Sequence, residues 1–582
     1  MTQDLNPMFK TIDETVERWA EREPGRIFAH FWAKDGSVSS LTYGHLLERS
    51  QRFAALLAAH GVRAGEVVVL IQEQDADLVA SFVGAILHGA YPSIFAFPSP
   101  KISREIYLNT LDQLLQHSAA RAVIASARFT TALESLDTWR EGVALLPVSA
   151  AKAHVTRSLT PRNGADEIAF LQHSSGTTGL KKGVALSHRA VITQLSHLTE
   201  ALHLSTHDHI ISWLPLYHDM GLIACFLLPL CSGVPVTMID PFDWARDPAL
   251  LFDAIHAHRG SLCWLPNFAY NFLATRARER PGACFDLSTM RAFINCAEPI
   301  SARSHETFRA RFEGACGLRP EALCSSYAMA ENTFAVTQGG ISSALRVERL
   351  DEDVFQREHT ARLATATTTR VKEVVSSGEL LQGNRVRIVN AGQPLQERRV
   401  GEIVIHSDSL FGGYFNREDL THAVLDDAGW YFSGDLGYLA GGQLFVTGRR
   451  KDLIIVAGKN IYPGDIEEVV SSVQGVVPGR VVAFGVPDDE KGTEQVVVVA
   501  ETRQALTTTE AGSLRLAISS AIRQDLDCVA KDVQLRPHLS LLKSSSGKIA
   551  RDANRACYLK GLSGPKPRSP QHAEGDTDVR AL

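Results

Sequence analysis

A glycine-rich segment, His173-Ser-Ser-Gly-Thr-Thr-Gly-Leu-Lys-Lys-Gly183, carries the clearest chemical signal in the chain. The apolar stretches on either side of it, 167–172 and 184–188, are typical of β-strands. Glycines let backbone amides approach an anion closely, and the serines, threonines and lysines of the segment add hydroxyl donors and positive charge. The segment is therefore interpreted as a loop between strands that binds the phosphates of a nucleotide.

Two other interpretations of this segment were considered. The common pattern G-x-x-x-x-G-K-[ST] requires a hydroxyl residue after the lysine, but Lys182 is followed by Gly183. A mononucleotide kinase or GTPase is therefore disfavoured. A flexible Gly/Thr linker is the alternative that composition alone leaves open.

Composition narrows the class of protein. The chain has 582 residues, is 45% apolar and carries a net charge of −6, so it can bury several cores and has no basic character that would favour nucleic acid or an anionic membrane. Its nine cysteines include no C-x-x-C spacing, and its start lacks the features of a secretory signal. Pro229, Gly233 and Pro235 interrupt the most apolar stretch, 222–239, which indicates a buried helix and strand rather than a membrane span. We expect a cytoplasmic protein that acts on small molecules.

Hydrophobic periodicity predicts an α/β fold. Apolar strands alternate with helices over 67–125 and again over 190–335, which indicates two α/β subdomains with parallel sheets. Residues 384–406 alternate as strands do and predict a small β unit, and 452–526 predict a compact α+β module. The polar stretch 340–380 between them is interpreted as an insertion or an exposed excursion.

Further motifs follow the phosphate loop in a fixed order. They are Trp213-Leu-Pro-Leu-Tyr-His-Asp-Met-Gly-Leu222, Asn295-Cys-Ala-Glu-Pro299, Ser326-Tyr-Ala-Met-Ala-Glu331, Tyr431-Phe-Ser-Gly-Asp435, Gly448-Arg-Arg-Lys-Asp-Leu-Ile454 and Ser544-Ser-Ser-Gly-Lys548. Together they resemble the adenylate-forming superfamily of acyl-CoA synthetases, luciferases and peptide-synthetase adenylation domains, and the resemblance covers about residues 10–555.

The resemblance implies a domain organisation. Residues 1–450 would form a large N-terminal adenylation domain that binds ATP and an acyl substrate. Residues 451–560 would form a small mobile C-terminal domain that carries a catalytic lysine, and 561–582 a disordered tail. Lys451 matches the hinge about which this small domain swings between adenylation and thioester formation.

It also implies roles for individual residues. Each of them matches a family position that contacts ATP, Mg²⁺ or the acyl substrate, and in the family's reaction a carboxylate attacks the α-phosphorus of ATP. Loop residues would hold the β- and γ-phosphates (Ser175, Gly176, Thr177, Thr178, Gly179, Lys182), and others would bind adenine (Tyr327, Ala297, Glu298), ribose (Asp435), ribose or phosphate (Arg449) and Mg²⁺ (Glu331). His218 would lie beside the acyl carboxylate, and Lys548 would bridge that carboxylate and the α-phosphate.

Within the superfamily, the chain is most similar to fatty acyl-AMP ligases, which pass an activated fatty acid to an acyl carrier protein. The stretch 340–380 falls where those ligases carry an insertion that disfavours CoA. Only a short polar segment follows residue 560, so the carrier would act in trans. Two alternatives remain, an acyl-CoA synthetase of the same fold and a non-catalytic adenylate-binding protein. The candidates for the acyl tunnel are Trp213, Met220, Ile223, Phe226, Trp264 and Phe268.

Three positions depart from the family pattern. Lys181 replaces a proline before Lys182, Cys296 replaces a glycine before Ala-Glu-Pro, and Ala328 replaces the glycine that commonly follows the adenine-stacking tyrosine. Cys296 and Ala328 add side-chain volume beside the expected binding sites for adenine and the acyl group. They therefore put a standard acyl pocket in question more than they do ATP binding.

Overall fold

The computed structural model describes residues 9–98, 104–134, 139, 142–154, 163–173, 182–279, 285–341, 343–456, 459–488, 493–543 and 549–563. The helices are α1 Ile12–Arg22, α2 Tyr43–Ala59, α3 Ala76–His88, α4 Arg104–His117, α5 Ala127–Leu133, α6 His188–Ala201, α7 Leu228–Ser232, α8 Pro241–Arg246, α9 Ala249–His258, α10 Asn267–Arg276, α11 Ala302–Cys316, α12 Glu352–Glu358, α13 Glu418–His422, α14 Pro463–Ser471, α15 Thr508–Leu526 and α16 Arg551–Ser563.

The strands alternate with these helices in the first half of the chain and dominate the second. They are β1 Ile27–Trp32, β2 Val38–Thr42, β3 Val67–Ile71, β4 Tyr91–Ile94, β5 Ala122–Ala125, β6 Ala144–Pro147, β7 Ile168–His173, β8 Gly183–Ser187, β9 Ile210–Ser212, β10 Val236–Ile239, β11 Leu262–Leu265, β12 Ala292–Asn295, β13 Leu323–Ala328, β14 Ala335–Gln338, β15 Val347–Asp351, β16 Val371–Val375, β17 Glu379–Leu380, β18 Asn384–Asn390, β19 Gln393–Pro394, β20 Gly401–Ser407, β21 Gly413–Tyr414, β22 Tyr431–Ala440, β23 Gln443–Arg449, β24 Ile454–Val456, β25 Lys459–Ile461, β26 Val476–Asp488, β27 Thr493–Thr502 and β28 Ala530–Pro537.

The first α/β subdomain is a parallel sheet in the order β4-β3-β5-β6. Its central strand β3 is an unbroken apolar run that is buried along its whole length, as expected for a parallel strand covered on both faces. Helix α3 begins after Asp75, whose carboxylate accepts hydrogen bonds from the amides of Asp77 and Leu78, and it ends at Gly89. These features confirm the predicted βα alternation here.

The second subdomain and the small β unit share one sheet of fourteen strands, in the order β19-β18-β20-β22-β23-β17-β14-β13-β12-β11-β9-β10-β1-β2. Strands β1, β10, β9, β11, β12 and β13 are parallel neighbours. The rest pair antiparallel, so the β unit continues the α/β sheet. The architecture confirms the predicted α/β class, and in such sheets ligands bind beyond the carboxyl ends of the parallel strands.

The predicted helix over 220–231 has two parts. Residues 220–227 form a π-helix, and α7 follows with Pro229 in its first turn. The π-helix packs tightly against the preceding segment, since a Cβ on Gly221 would lie 2.3 Å from the carbonyl oxygen of Pro215. A single helical period in the sequence does not distinguish these two forms.

The polar stretch 340–380 is ordered where it is described. It forms the β15–β16 hairpin and α12, and Leu350, Phe355 and Val374 are buried against β22, β23 and Tyr462. An exposed excursion is therefore wrong for these apolar side chains, whereas an insertion remains consistent with them. We call the unit formed by 347–375 the hairpin insert.

The C-terminal part has cores of its own. Strands β26, β27 and β28 form one sheet, and α14 and α15 pack on one of its faces through Ile466, Val470, Ile518 and Ile522. A second apolar cluster contains Tyr558 of α16, whose ring packs against Phe484 of β26. Of the predicted disordered tail 561–582, residues 561–563 instead belong to α16. Residues 564–582 lie outside the described residues, so their predicted disorder stays a prediction.

Candidate active site

Several predicted site residues lie outside the described residues, and their roles remain predictions. These are Ser175, Gly176, Thr177, Thr178, Gly179 and Lys548. The strands that flank the phosphate loop are described: β7 and β8 pair antiparallel up to His173 and Gly183, so the loop connects the two strands of a hairpin. Lys182 is the one predicted loop residue that can be placed.

Tyr327, Asp435 and Arg449 come together although they are far apart in the sequence. The Tyr327 hydroxyl donates a 2.6 Å hydrogen bond to Oδ2 of Asp435, and Nε of Arg449 donates a 3.1 Å hydrogen bond to Oδ1 of the same carboxylate. Tyr327 lies near the end of β13, the last of the parallel strands. Asp435 on β22 is directly opposite Arg449 on β23. The group joins an aromatic ring, a carboxylate and a guanidinium at one end of the sheet.

Charge and burial act together in this group. Burial, and then the nearby charge of Asp435, raise the pKa of the Tyr327 phenol well above its usual range. The same carboxylate raises the pKa of Arg449. Tyr327 therefore stays a neutral hydrogen-bond donor and Arg449 stays a cation at physiological pH. These states are suited to contacts with an uncharged nucleobase and a polar sugar.

Glu331 lies four residues after Tyr327, in a short 3-10 segment at 330–332, and contacts Tyr414. The Tyr414 hydroxyl donates a 2.8 Å hydrogen bond to Oε1 of Glu331, and Nζ of Lys182 lies 4.5 Å from the centre of the Tyr414 ring. Burial raises the pKa of the Glu331 carboxyl, while the Tyr414 hydrogen bond and the charge of Lys182 act in the opposite direction. The predicted phosphate-binding lysine and the predicted metal ligand are therefore held on opposite parts of one tyrosine.

The backbone beside Glu331 is strained. Thr333 is fully buried with φ 58° and ψ −52°, values that a β-branched residue rarely adopts. Its hydroxyl donates a 2.7 Å hydrogen bond to the carbonyl of Ser409, which stabilises this turn. Strain of this kind costs on the order of 1–3 kcal/mol and is concentrated at functional sites.

Ala297 and Glu298 form the turn after β12. Ala297 has a left-handed backbone with φ 72°, and Oε2 of Glu298 accepts a 2.9 Å hydrogen bond from the amide of Phe268 in the first turn of α10. The Glu298 side chain therefore links this turn to α10, and the turn backbone remains the part predicted to contact adenine. Cys296 is fully buried beneath the turn.

His218 lies in the segment between β9 and the π-helix. Its ring centre is 5.2 Å from that of Tyr217, and its carbonyl accepts a hydrogen bond from the amide of Leu222. Nε2 of Gln172, near the end of β7, donates a 3.2 Å hydrogen bond to the carbonyl of Tyr217. The predicted carboxylate-binding segment is thus attached to the strand that leads into the phosphate loop.

The candidates for the acyl tunnel have different environments. Phe226 packs among Phe28 and Phe82 in the main core, and Ile223 and Trp264 are fully buried. Trp213 stacks face to face on Trp244 at 3.5 Å, and Phe268 lies beside both rings while remaining 38% exposed. Trp213 and Phe268 connect the His218 segment to the Ala297–Glu298 turn, whereas Phe226 is part of the core.

Lys451 follows β23 directly. Its Nζ lies 3.3 Å from Oδ2 of Asp552 in α16, and the preceding Arg450 contacts Glu402 of β20 at 2.7 Å. Neighbouring residues therefore make contacts on the two sides of the predicted hinge, one with the C-terminal part and one with the large sheet.

Residues 16–415 match the AMP-binding enzyme family over more than half of the chain. The chain belongs to the AMP-binding enzyme family. This assignment supports the use of ATP.

Individual AMP-binding enzymes resemble the chain along nearly its whole length. The medium-chain-fatty-acid–[acyl-carrier-protein] ligase JamA of Moorena producens is 30% identical, with 95% of this chain and 96% of JamA covered. A Caulobacter vibrioides protein, named provisionally as an acyl-CoA synthetase, is 30% identical, with 96% of each chain covered. A solved structure from a study of fatty acyl-adenylate ligases of E. coli and L. pneumophila is 29% identical, with a TM-score of 0.89, 95% of this chain and 99% of that chain covered.

The residues at this site fit a magnesium ion that is held partly by the phosphates of a nucleotide. Across the described residues, no group of three or more His, Cys, Asp or Glu side chains could hold a metal ion by itself. Glu331 nevertheless offers a hard carboxylate oxygen beside Lys182, and Mg²⁺ commonly binds one or two carboxylates together with substrate phosphates and water.

Within the described ranges, none of the helices is both long and apolar enough to cross a bilayer.

Sequence reasoning missed Tyr414. It lies in Phe411-Gly-Gly-Tyr414, which carries no pattern for a phosphate or metal site. A tyrosine after two glycines can be recognised as part of the site only when the fold brings it to Glu331.

Proposed function

We propose that this AMP-binding enzyme activates a fatty acid with ATP and Mg²⁺ to form acyl-AMP and pyrophosphate. We further propose that it transfers the acyl group to the phosphopantetheine thiol of an acyl carrier protein in trans. The observation that carries the proposal is the convergence of Tyr327, Asp435 and Arg449 beside Glu331 and Lys182, since these groups match the parts of ATP and its metal. Because ATP is abundant there, we place the reaction in the cytoplasm.

The proposed reaction has two steps, and in each step one bond forms and one bond breaks. A carboxylate oxygen of the fatty acid attacks the α-phosphorus, a new P–O bond forms, and the bond to the pyrophosphate oxygen breaks. The carrier thiol, after loss of its proton, then attacks the acyl carbon, and AMP leaves with the electron pair of the broken C–O bond.

The residues of this chain would bind and orient the reactants. Tyr327 would stack on adenine against the Ala297–Glu298 turn, and Asp435 and Arg449 would contact the ribose. Lys182, with Ser175, Gly176, Thr177, Thr178 and Gly179, would hold the β- and γ-phosphates. When bound at Glu331, Mg²⁺ would neutralise phosphate charge.

Two residues would act at the reacting carboxylate. His218 would lie beside it, and Lys548 would bridge it to the α-phosphate and stabilise the charge that develops there. Rotation about Lys451 of residues 451–560 relative to 1–450 would then remove Lys548, so that the thiol can reach the acyl-AMP.

A second candidate, an acyl-CoA synthetase, is favoured by the provisional name of the Caulobacter relative. It differs only in the thiol that accepts the acyl group. The hairpin insert supports the carrier-dependent candidate, because it contacts α14 of the C-terminal part, where Lys372 lies 2.5 Å from Asp465.

A paired assay tests these proposals. Purified protein is incubated with ATP, Mg²⁺ and a panel of fatty acids, and acyl-AMP and pyrophosphate are measured with CoA, with a phosphopantetheinylated carrier protein, or with neither. Acyl-AMP that accumulates while CoA stays unacylated supports the carrier-dependent ligase. Efficient acyl-CoA formation supports the second candidate, and ATP binding without pyrophosphate release would leave only a non-catalytic adenylate-binding protein.

A further inference from the structure

Residues 411–415 form a bridge between the phosphate loop and Glu331. The amide of Gly412 donates to the carbonyl of Ala185 at 3.0 Å, and the amide of Phe415 donates to the carbonyl of Gly183 at 2.8 Å. Tyr414 pairs with Val184, so β21 is the third strand of the β7–β8 hairpin. The strand that leaves the phosphate loop is therefore fixed by this segment immediately after Lys182.

The same segment holds Glu331 at two points. The amide of Phe411 donates a 2.8 Å hydrogen bond to the Glu331 carbonyl, and the Tyr414 hydroxyl donates a 2.8 Å hydrogen bond to Oε1 of the side chain. A hydrogen bond to one carboxylate oxygen restricts rotation of the carboxyl group and directs the other oxygen elsewhere. Both the position and the orientation of the carboxylate are thereby restricted.

Tyr414 itself is firmly held. Only 5% of it is exposed, its amide donates a 2.9 Å hydrogen bond to Oγ1 of Thr421, and its ring packs at 5.0 Å from that of Phe411. The preceding Gly413 has φ 136°, and a Cβ there would lie 3.1 Å from the Thr421 side chain, so this turn requires glycine. The ring that faces Lys182 at 4.5 Å is therefore a fixed surface for the ammonium group.

We propose that Tyr414 is a positioning residue that couples the phosphate loop to the metal site. Its hydroxyl orients Glu331 toward Mg²⁺, and its ring places Lys182 toward the polyphosphate. Neither the sequence motifs nor the roles assigned above include this residue. The inference rests on the proposed nucleotide site, but it does not depend on which acid or thiol the enzyme uses.

The two contacts can be separated by substitution. Tyr414→Phe removes the hydroxyl and keeps the ring, whereas Tyr414→Leu removes both. Binding of α,β-methylene-ATP is measured by isothermal titration calorimetry over a range of Mg²⁺ concentrations. Because a hydrogen bond to a charged group is lost, we expect Tyr414→Phe to raise the Mg²⁺ concentration for half-maximal binding about tenfold, with little change in binding without metal. Tyr414→Leu should weaken metal-free binding as well.

Tyr438→Phe is the matched control. Its hydroxyl donates a 3.0 Å hydrogen bond to Oε2 of the buried Glu348, outside the nucleotide site, so it should leave the Mg²⁺ dependence unchanged. In a Glu331→Gln background the effect of Tyr414→Phe on Mg²⁺ dependence should disappear, which a merely structural role would not produce.

A second measurement does not depend on how Tyr414→Phe folds. A single 3-fluorotyrosine at position 414 should show a ¹⁹F resonance that shifts when Mg²⁺ is added to the nucleotide complex. Equal Mg²⁺ dependence in the wild type and Tyr414→Phe, or a resonance that Mg²⁺ does not shift, overturns the inference alone. Failure of the wild-type protein to bind the nucleotide would overturn the proposed function together with it.

Discussion

The Tyr327 hydroxyl donates a 2.6 Å hydrogen bond to Oδ2 of Asp435, although 108 residues separate them in the sequence. Arg449 occupies the other oxygen of the same carboxylate at 3.1 Å. A carboxylate has about four lone-pair sites, so Asp435 can keep both protein donors and still accept two ribose hydroxyls. The Tyr327 ring and the proposed ribose acceptor are therefore fixed relative to each other.

Asp435→Asn should weaken ATP binding. The substitution keeps the size of the side chain but removes the charge and one acceptor, so we expect roughly a tenfold or larger rise in Kd, the effect of losing a hydrogen bond to a charged group. Isothermal titration calorimetry measures the change. Tyr327→Phe, which retains the stacking ring, should have a smaller effect, and an unchanged Kd for Asp435→Asn would exclude a ribose contact.

Lys548→Ala should slow acyl-AMP formation by about 10²–10³, as removal of one preorganised oxyanion donor does. ATP binding should remain, because the proposed adenine and ribose contacts are made by other residues. Pyrophosphate release in a single-turnover experiment measures the rate of the chemical step. Lys560→Ala provides a control lysine of the same region, and equal rates for Lys548→Ala and the wild type would remove the catalytic role.

Local fold could be predicted from the sequence where the signal was local. Strands β3 and β5 begin and end the predicted 67–125 alternation and α3 lies within it, because apolar runs and the Asp75 cap define these elements without reference to other parts of the chain. The joining of the β unit to the α/β sheet depends on pairing between distant strands, and an alternating pattern does not specify a partner. Helix α16 was missed because Arg551-Asp-Ala-Asn-Arg555 is mostly polar.

The site could be predicted only where a motif carried it. Tyr327, Asp435 and Arg449 each belong to an ordered motif, and the structure brings the three together. Tyr414 and Thr333 act through tertiary contacts and backbone strain that no spacing in the sequence reveals. Glu298 was predicted to contact adenine, whereas the contact of its side chain with the amide of Phe268 depends on the packing of α10 and has no signal in the sequence.

Asp208→Ala should destabilise the N-terminal part strongly. Both carboxylate oxygens of Asp208 lie 2.6 Å from NH1 of Arg291, the hydroxyl of Ser261 donates to Oδ1 at 2.7 Å, and the Asp208 side chain is only 2% exposed. Removing one member of such a buried pair costs about 3–5 kcal/mol. Chemical denaturation measures the loss, and Asp166→Ala, which breaks the exposed pair with Arg189, should cost much less. Equal losses would contradict the argument.

Mild acid should destabilise the protein through three packed histidines. The ring centres of His30, His209 and His258 lie 4.5–5.8 Å apart. Burial, followed by the neighbouring imidazoles, lowers the pKa of His209 to about 3, and burial lowers the pKa of His30 and His258. Because the folded pKa values are depressed, the neutral forms stabilise the fold above the unfolded pKa near 6.5, and this stability is lost as pH falls below it.

For this cluster, the unfolding temperature at pH 7.5 and pH 5 provides the test. Below the unfolded pKa near 6.5, the contribution of one fully shifted histidine changes by about 1.4 kcal/mol per pH unit, so the loss falls between pH 6.5 and pH 5. His209→Asn should reduce the difference between the two pH values, whereas substitution of the exposed His207 should not. Equal pH dependence in the wild type and His209→Asn would contradict a role for this cluster.

Lys372→Ala should increase acyl transfer to CoA if the hairpin insert restrains the C-terminal part. Nζ of Lys372 lies 2.5 Å from Asp465 of α14, with the two side chains 10% and 26% exposed, and 5.2 Å from the ring centre of Tyr462. In the proposed mechanism thioester formation requires movement of the C-terminal part, so loosening this contact should favour a small free thiol. We expect about a tenfold gain in acyl-CoA, equivalent to ~1.4 kcal/mol, with acyl-AMP formation unchanged.

Lys459→Ala is the control for Lys372→Ala, because it breaks a 2.6 Å pair with Asp527 inside the C-terminal part. Equal acyl-CoA formation by Lys372→Ala, Lys459→Ala and the wild type would show that this ion pair does not control the choice of thiol.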